Sequence, residues 1–104
     1  MPLLELGQLA LEKRQELHPD NVISFILDRN INYTNVCWVD CKFCAFYRHK
    51  NDKDAYILTH EQIGKKIEEL LEIGGTQILF QGGVHPNLKI DYYEELVDFI
   101  HTTY

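Results

Sequence analysis

From Ile31 onward the chain alternates between two hydrophobic periods, and this limits the folds open to it more than any other feature. Ile31-Asn-Tyr-Thr34 is a short extended piece with β-branched and aromatic residues. Thr59 and Gln62 have the spacing of a capping box, opening a helix whose Ile63, Ile67, Leu70 and Leu71 fall on one face; Gly74-Gly75 ends it. Thr76 to Phe80 reads as the next strand and Gln81 to Pro86 as a turn. Asp91 with Glu94 is expected to cap a last helix bearing Tyr93, Leu96, Val97 and Ile100 on one side. Strand, helix, strand, helix implies an α/β fold with parallel strands joined by a right-handed crossover. In such folds the loops after the carboxyl ends of the strands carry the chemistry, so the loops after Thr34 and after Phe80 should lie side by side.

The residues before this unit are simpler. Pro2 to Leu17 carry Leu3, Leu6, Leu9, Ala10 and Leu17 among polar residues, a helical pattern that His18-Pro-Asp-Asn21 breaks. Val22 to Leu27 is an apolar run rich in β-branched residues and is expected to be extended. Asp28-Arg-Asn30 then separates it from the piece beginning at Ile31. At 104 residues, with no repeat, linker or low-complexity segment, a single domain is expected.

Charge and composition exclude some partners. The net charge is −6, from 16 acidic against 10 basic residues, and the basic ones are spread from Lys13 to Lys89; this argues against nucleic acid. No apolar run is long enough to span a bilayer, so no membrane association is expected. The N-terminus lacks a basic segment followed by an apolar core and a small-residue cleavage site, which points to the cytoplasm.

The loop after Thr34 holds all three cysteines of the chain, Cys37, Cys41 and Cys44, as C-x3-C-x2-C within eight residues. An odd number of thiols on one loop cannot make a disulfide framework, so metal is the first hypothesis. Each thiolate could ligate one ion or one iron of a cluster, and three protein ligands on a four-iron cubane leave one iron open. The same thiols with His49 could instead form a Cys3His structural zinc site, since four residues separate Cys44 from His49. That reading explains neither Phe43 just before the last cysteine nor the glycine turn Gln81-Gly82-Gly83.

C-x3-C-x2-C with an aromatic residue before the last cysteine resembles the signature of the radical S-adenosylmethionine superfamily. The longer string from Asp28 to Arg48 and the segment from Gly74 to Pro86 resemble one branch of it, the menaquinone futalosine-pathway and deazaflavin-forming enzymes. The likeness runs from about Val22 to Ile100.

This resemblance implies the N-terminal part of a (β/α) TIM-like barrel, incomplete. It would be one partial core domain over 1–104, with an N-terminal helix and turn over 1–21 and the first strands and helices of the barrel over 22–104. It implies two cofactors, a 4Fe-4S cluster held by Cys37, Cys41 and Cys44 and S-adenosyl-L-methionine on the open iron. The reduced cluster, fed by an external electron donor, would cleave S-adenosylmethionine to a 5′-deoxyadenosyl radical that abstracts hydrogen from the substrate. Phe43 would contact the adenine, and Gln81, Gly82 and Gly83 would hold the cofactor's methionine end. Val84 stands where the family has a glutamate, so backbone carbonyls near Gln81 to Gly83 are expected to receive the ammonium. The implied small-molecule substrate is dehypoxanthine futalosine, cyclised after hydrogen abstraction at its ribose C4′. A sister reaction of the same branch and a catalytically inactive short barrel are the alternatives.

His85 is expected to face the same pocket, where it could take a proton near neutral pH; as a residue before Pro86 it could equally bond to turn backbone. Tyr47 and Arg48 are expected either to face substrate or to pack and solvate, and Trp38 to shield the cluster.

Overall fold

The computed structural model describes Met1–Tyr104. Its elements are α1 (Leu3–Leu17), β1 (Asp28–Asn32), α2 (His60–Glu72), β2 (Gln77–Gln81) and α3 (Ile90–Thr103). The two strands form one parallel sheet, with Asp28 opposite Gln77, Ile31 opposite Phe80 and Asn32 opposite Gln81. Parallel strands need a long crossover, and α2 provides it.

Local sequence accounts for the sharp limits of α2. Thr59 Oγ1 accepts the Gln62 backbone N–H at 3.2 Å while Gln62 Oε1 accepts the Thr59 N–H at 2.9 Å, so the predicted capping box is present. At the other end Gly74 takes φ +75°, its N–H donates to Leu71 O at 3.0 Å, and the Gly75 N–H donates to Leu70 O at 2.9 Å. These two bonds make a Schellman closure, which needs a left-handed residue where glycine has no Cβ to clash. The buried face of α2 is Ile63, Gly64, Ile67 and Leu70; Leu71, expected on that face, is half exposed.

The core lies between one sheet face and the two following helices. Ile31, Tyr33, Ile63, Ile67 and Leu96 form it, with Ile78, Phe80 and Ile100 packed around them. Alternation along each strand puts Ile31 and Phe80 on this side and leaves Asn30, Asn32, Leu79 and Gln81 on the open face.

Four sequence expectations are corrected. Val22 to Leu27 forms no strand, and its apolar side chains are largely exposed; the strand starts at Asp28. Arg29, read as part of a break, belongs to β1 because its stem follows the helix-covered face. Its guanidinium reaches the Lys66 carbonyl at 3.0 Å and Glu69 at 2.6 Å. The cap of α3 is Lys89, without a side-chain bond, and Asp91 sits in the first turn rather than capping it. Val97, placed on the buried side of α3 by its spacing, is exposed, and Leu96 is the helix's one buried residue.

α1 forms as expected but buries none of its residues. With the exposed 22–27 run it explains a radius of gyration of 19.8 Å, against roughly 13 Å for a compact domain of about 100 residues. No helix is long and apolar enough to cross a membrane.

Candidate cofactor site

The sheet ladder continues past both strands into the two loops. Tyr33 N–H donates to Gln81 O at 3.0 Å, Gly83 N–H to Thr34 O at 2.8 Å, and Trp38 N–H to Val84 O at 3.2 Å. The cysteine loop is therefore sewn to the glycine turn by main chain. Its far end returns to the same place: Arg48 N–H donates to Asn35 O at 2.8 Å, and Cys37 N–H donates to Arg48 O at 3.0 Å. Between these points the Cys44 N–H closes a turn onto Cys41 O at 3.1 Å.

Side chains brace this frame from outside. Thr34 Oγ1 donates to Tyr56 O at 2.6 Å and accepts the Val36 N–H at 3.1 Å. Asn35 uses its whole carboxamide, giving Nδ2 to Asp54 O and taking the Tyr56 N–H, both at 2.8 Å. Arg48 Nε donates to Asp54 at 2.6 Å. That contact holds the Asp54 carboxyl below the usual carboxylate range and raises the guanidinium further above its own. Arg48 also donates to Tyr47 O at 2.8 Å, so of the two roles open to it the packing role is filled.

Both glycines of the turn are needed for contact with this loop. A Cβ on Gly82 would strike the Tyr33 ring, with Tyr33 Cζ at 2.6 Å. A Cβ on Gly83 would strike the Val36 carbonyl and stand 3.0 Å from Cys37 Cβ. The Tyr33 hydroxyl lies 3.4 Å from Gly83 O and 3.3 Å from the Tyr93 hydroxyl, and its ring stacks on Phe80 at 5.1 Å. Burial first, and the Tyr93 hydroxyl second, push the Tyr33 phenol far up, so it stays a neutral donor.

A cavity of about 820 Å³ opens where the loops meet. Cys37, Cys41 and Cys44 line it with Phe43 from one side, and Gln81, Gly82 and Gly83 from the other. The expected set of thiols, aromatic and glycine turn is thus gathered on one space. Phe43 is 95% exposed, so its ring is held by no core contact and is available to a ligand. Among the carbonyls of the turn, Gln81, Gly83 and Val84 each take a protein donor and Gly82 takes none. Gly82 O is therefore the one unpartnered carbonyl among these four.

Two side chains fall elsewhere. His85 is buried but does not line the cavity; its Nδ1 accepts the Asn87 N–H at 3.1 Å, and burial lowers its pKa, with Lys50 nearby adding to the effect. Trp38 is 68% exposed and also lies outside the lining. Three further cavity residues carry little signal in the sequence: Tyr33, marked only by its place at the end of a strand, and Asn30 and Asn32.

The donor set fits an iron–sulfur cluster better than a single ion. All three thiols are free and no carboxylate lines the cavity. His49, the fourth ligand that a Cys3His zinc site would need, does not line the cavity with the thiols. In a cubane each of the three thiolates would take a different iron.

The Radical SAM superfamily profile matches residues 31–102, a span that includes both loops. The chain belongs to that superfamily, whose members use a 4Fe-4S cluster and S-adenosylmethionine and act on small molecules. Within it, the chain is 46% identical over 93 residues to a cyclic dehypoxanthine futalosine synthase of Halalkalibacterium halodurans, covering 89% of this chain and 25% of that one. It is 44% identical to the Streptomyces coelicolor protein of the same name, covering 90% of this chain and 24% of that one. A 5-amino-6-(D-ribitylamino)uracil–L-tyrosine 4-hydroxyphenyl transferase of Methanopyrus kandleri is 45% identical over 78 residues, 75% of this chain and 21% of that one. The chain thus spans about a quarter of the length of these relatives. No solved structure matches it.

Proposed function

We propose that the chain is the cluster- and cofactor-binding portion of a radical S-adenosylmethionine enzyme that cyclises dehypoxanthine futalosine in menaquinone biosynthesis. The observation that carries this reading is the meeting of Cys37, Cys41, Cys44 and Phe43 with Gln81, Gly82 and Gly83 on one cavity. The likeness to proteins named cyclic dehypoxanthine futalosine synthase supports the substrate. The βαβα unit then corresponds to the opening portion of a (β/α) TIM-like barrel, with the cavity at the carboxyl ends of its strands, where such barrels place their sites.

When bound, the cluster and S-adenosyl-L-methionine supply the one-electron chemistry that removes a hydrogen atom from the substrate's ribose. The three thiolates hold the cluster and leave one position for the cofactor. Phe43 offers a flat apolar face to the adenine, and the Gly82 carbonyl accepts from the ammonium. Tyr33, neutral and wedged under the turn, fixes the direction of the Gly82 and Gly83 backbone. His85 could take the proton lost after cyclisation only through Nε2, because Nδ1 is committed to Asn87. Its surroundings favour the other role, holding the turn.

A second reading has its own support. The identity to the Methanopyrus kandleri transferase lies between those to the two futalosine synthases, over a shorter span, which favours a deazaflavin-forming sister reaction on the same site. Electron paramagnetic resonance of the anaerobically reconstituted, reduced protein with and without S-adenosylmethionine tests the shared part. A four-iron signal that changes with the cofactor is expected, and a signal indifferent to it would overturn the reading. Product analysis with dehypoxanthine futalosine and with 5-amino-6-(D-ribitylamino)uracil plus tyrosine then separates the two reactions.

A further inference from the structure

Asn30, Asn32 and Asn35 all line the cavity, but they are used differently. Asn35 spends its donor and acceptor on the loop. The carboxamides of Asn30 and Asn32 have no protein partner; the only side-chain bond in which either residue takes part is from the Tyr56 hydroxyl to the Asn32 backbone carbonyl, at 3.3 Å. Both lie on the sheet face turned away from α2 and α3, Asn32 in register with Gln81 and Asn30 with Leu79. Asn32 is the last residue of β1, so Asn30 lies one layer deeper, roughly 6–7 Å down the strand at about 3.3 Å per residue.

On the barrel reading made above, that face is the interior, which β/α barrels normally fill with Val, Ile and Leu. Both side chains are exposed here; enclosed in a barrel interior, two amides in successive layers of β1 would be poor packing, because carboxamides buried without partners are costly. They suit a ligand that reaches past the mouth. The chemistry of the lining narrows the ligand: it holds no carboxylate, and its one guanidinium, Arg48, is already paired with Asp54. A carboxamide presents a donor beside an acceptor, which complements hydroxyls, each of which can donate and accept. The ribityl chain named for the Methanopyrus kandleri relative and the ribose of the proposed substrate share such a hydroxyl-bearing five-carbon unit.

We propose that Asn30 and Asn32 recognise the hydroxyls of this five-carbon unit, and so seat the substrate below the cofactor held by the cysteine loop and the glycine turn. The inference rests on the radical S-adenosylmethionine reading, and its test separates the two. The reconstituted protein and its Asn30→Leu, Asn32→Leu and isosteric Asn30→Asp variants are titrated with dehypoxanthine futalosine and with 5-amino-6-(D-ribitylamino)uracil. The cluster's resonance response to S-adenosylmethionine is followed on the same samples. The expected result is that wild type binds at least one probe, each leucine variant binds it about tenfold more weakly, as the loss of one or two ligand hydrogen bonds predicts, and the cofactor response is unchanged. A 3′-deoxy analogue should lose affinity for wild type and lose little more in the variants. Equal affinity in wild type and variants, or no binding of either probe by a protein whose cluster still answers the cofactor, would overturn the inference and leave the enzyme reading standing. A cluster that ignores the cofactor in wild type would remove the reading beneath it.

Discussion

Gly83 lies so close to Cys37 that a methyl group on the glycine would stand 3.0 Å from the cysteine Cβ and press on the Val36 carbonyl beside it. Backbone is the obstacle, so the strain cannot be relieved by turning a side chain. Gly83→Ala should therefore push the turn away from the cysteine loop and break the Gly83–Thr34 hydrogen bond. Iron and sulfide incorporated on reconstitution should fall severalfold while the far-ultraviolet dichroism of the helices persists. Full cluster content in this variant would show that the two loops need not touch.

Replacing any one of Cys37, Cys41 or Cys44 by serine should abolish the reduced four-iron signal, since two thiolates cannot hold the cubane in place. Lys42→Ala, in the same loop but outside the cavity lining, should leave iron content unchanged. Retention of the signal in Cys41→Ser, the most exposed of the three, would remove that residue from the ligand set.

The α2 face should dominate stability. Ile67 is 3% exposed in the core, so Ile67→Ala should cost about 2–5 kcal/mol in denaturant unfolding. Thr59→Ala, which deletes the N-cap acceptor of Gln62, should cost about 1 kcal/mol. Leu71→Ala, on the half-exposed side, should cost clearly less than Ile67→Ala; the reverse order would mean α2 packs through a different face.

His85 sets a pH dependence. Its folded pKa lies below the ordinary 6.5, so the unfolded chain takes up the proton first. Its contribution to stability is complete above about pH 6.5 and is lost as the pH falls through the lower folded value, where a protonated Nδ1 can no longer accept from Asn87. The melting temperature should decline with acid in this window. His85→Asn, whose Oδ1 can accept the same N–H without titrating, should flatten that part of the profile. An unchanged slope would assign it to other groups.

Much of this molecule was legible from its residues because the signals were local. The capping box at Thr59, the glycine stop at Gly74 and the order of strands and helices depend on neighbours within a few positions, and all stand as expected. The gathering of the cysteines and the glycine turn followed from topology, since consecutive parallel strands bring their following loops together. The misread parts depend on distant partners. Val22 to Leu27 has strand composition, yet nothing pairs with it, whereas Asp28-Arg-Asn30 lacks strand composition but has Gln77 to Leu79 beside it and α2 to receive Arg29. The position of His85 is set by its loop, and its direction by a donor two residues on, the Asn87 N–H.

The cysteine loop hangs from backbone bonds at both its ends, at Cys37 to Arg48 and at Trp38 to Val84. Its spelling is therefore freer than its length. Positions such as Lys42 and Ala45, which give no bond to the frame through their side chains, can change identity without disturbing the anchors. Adding or removing one residue between Trp38 and Tyr47 would put the thiols out of step with those anchors, so an engineer wishing to retune the pocket should exchange residues there and leave their number alone.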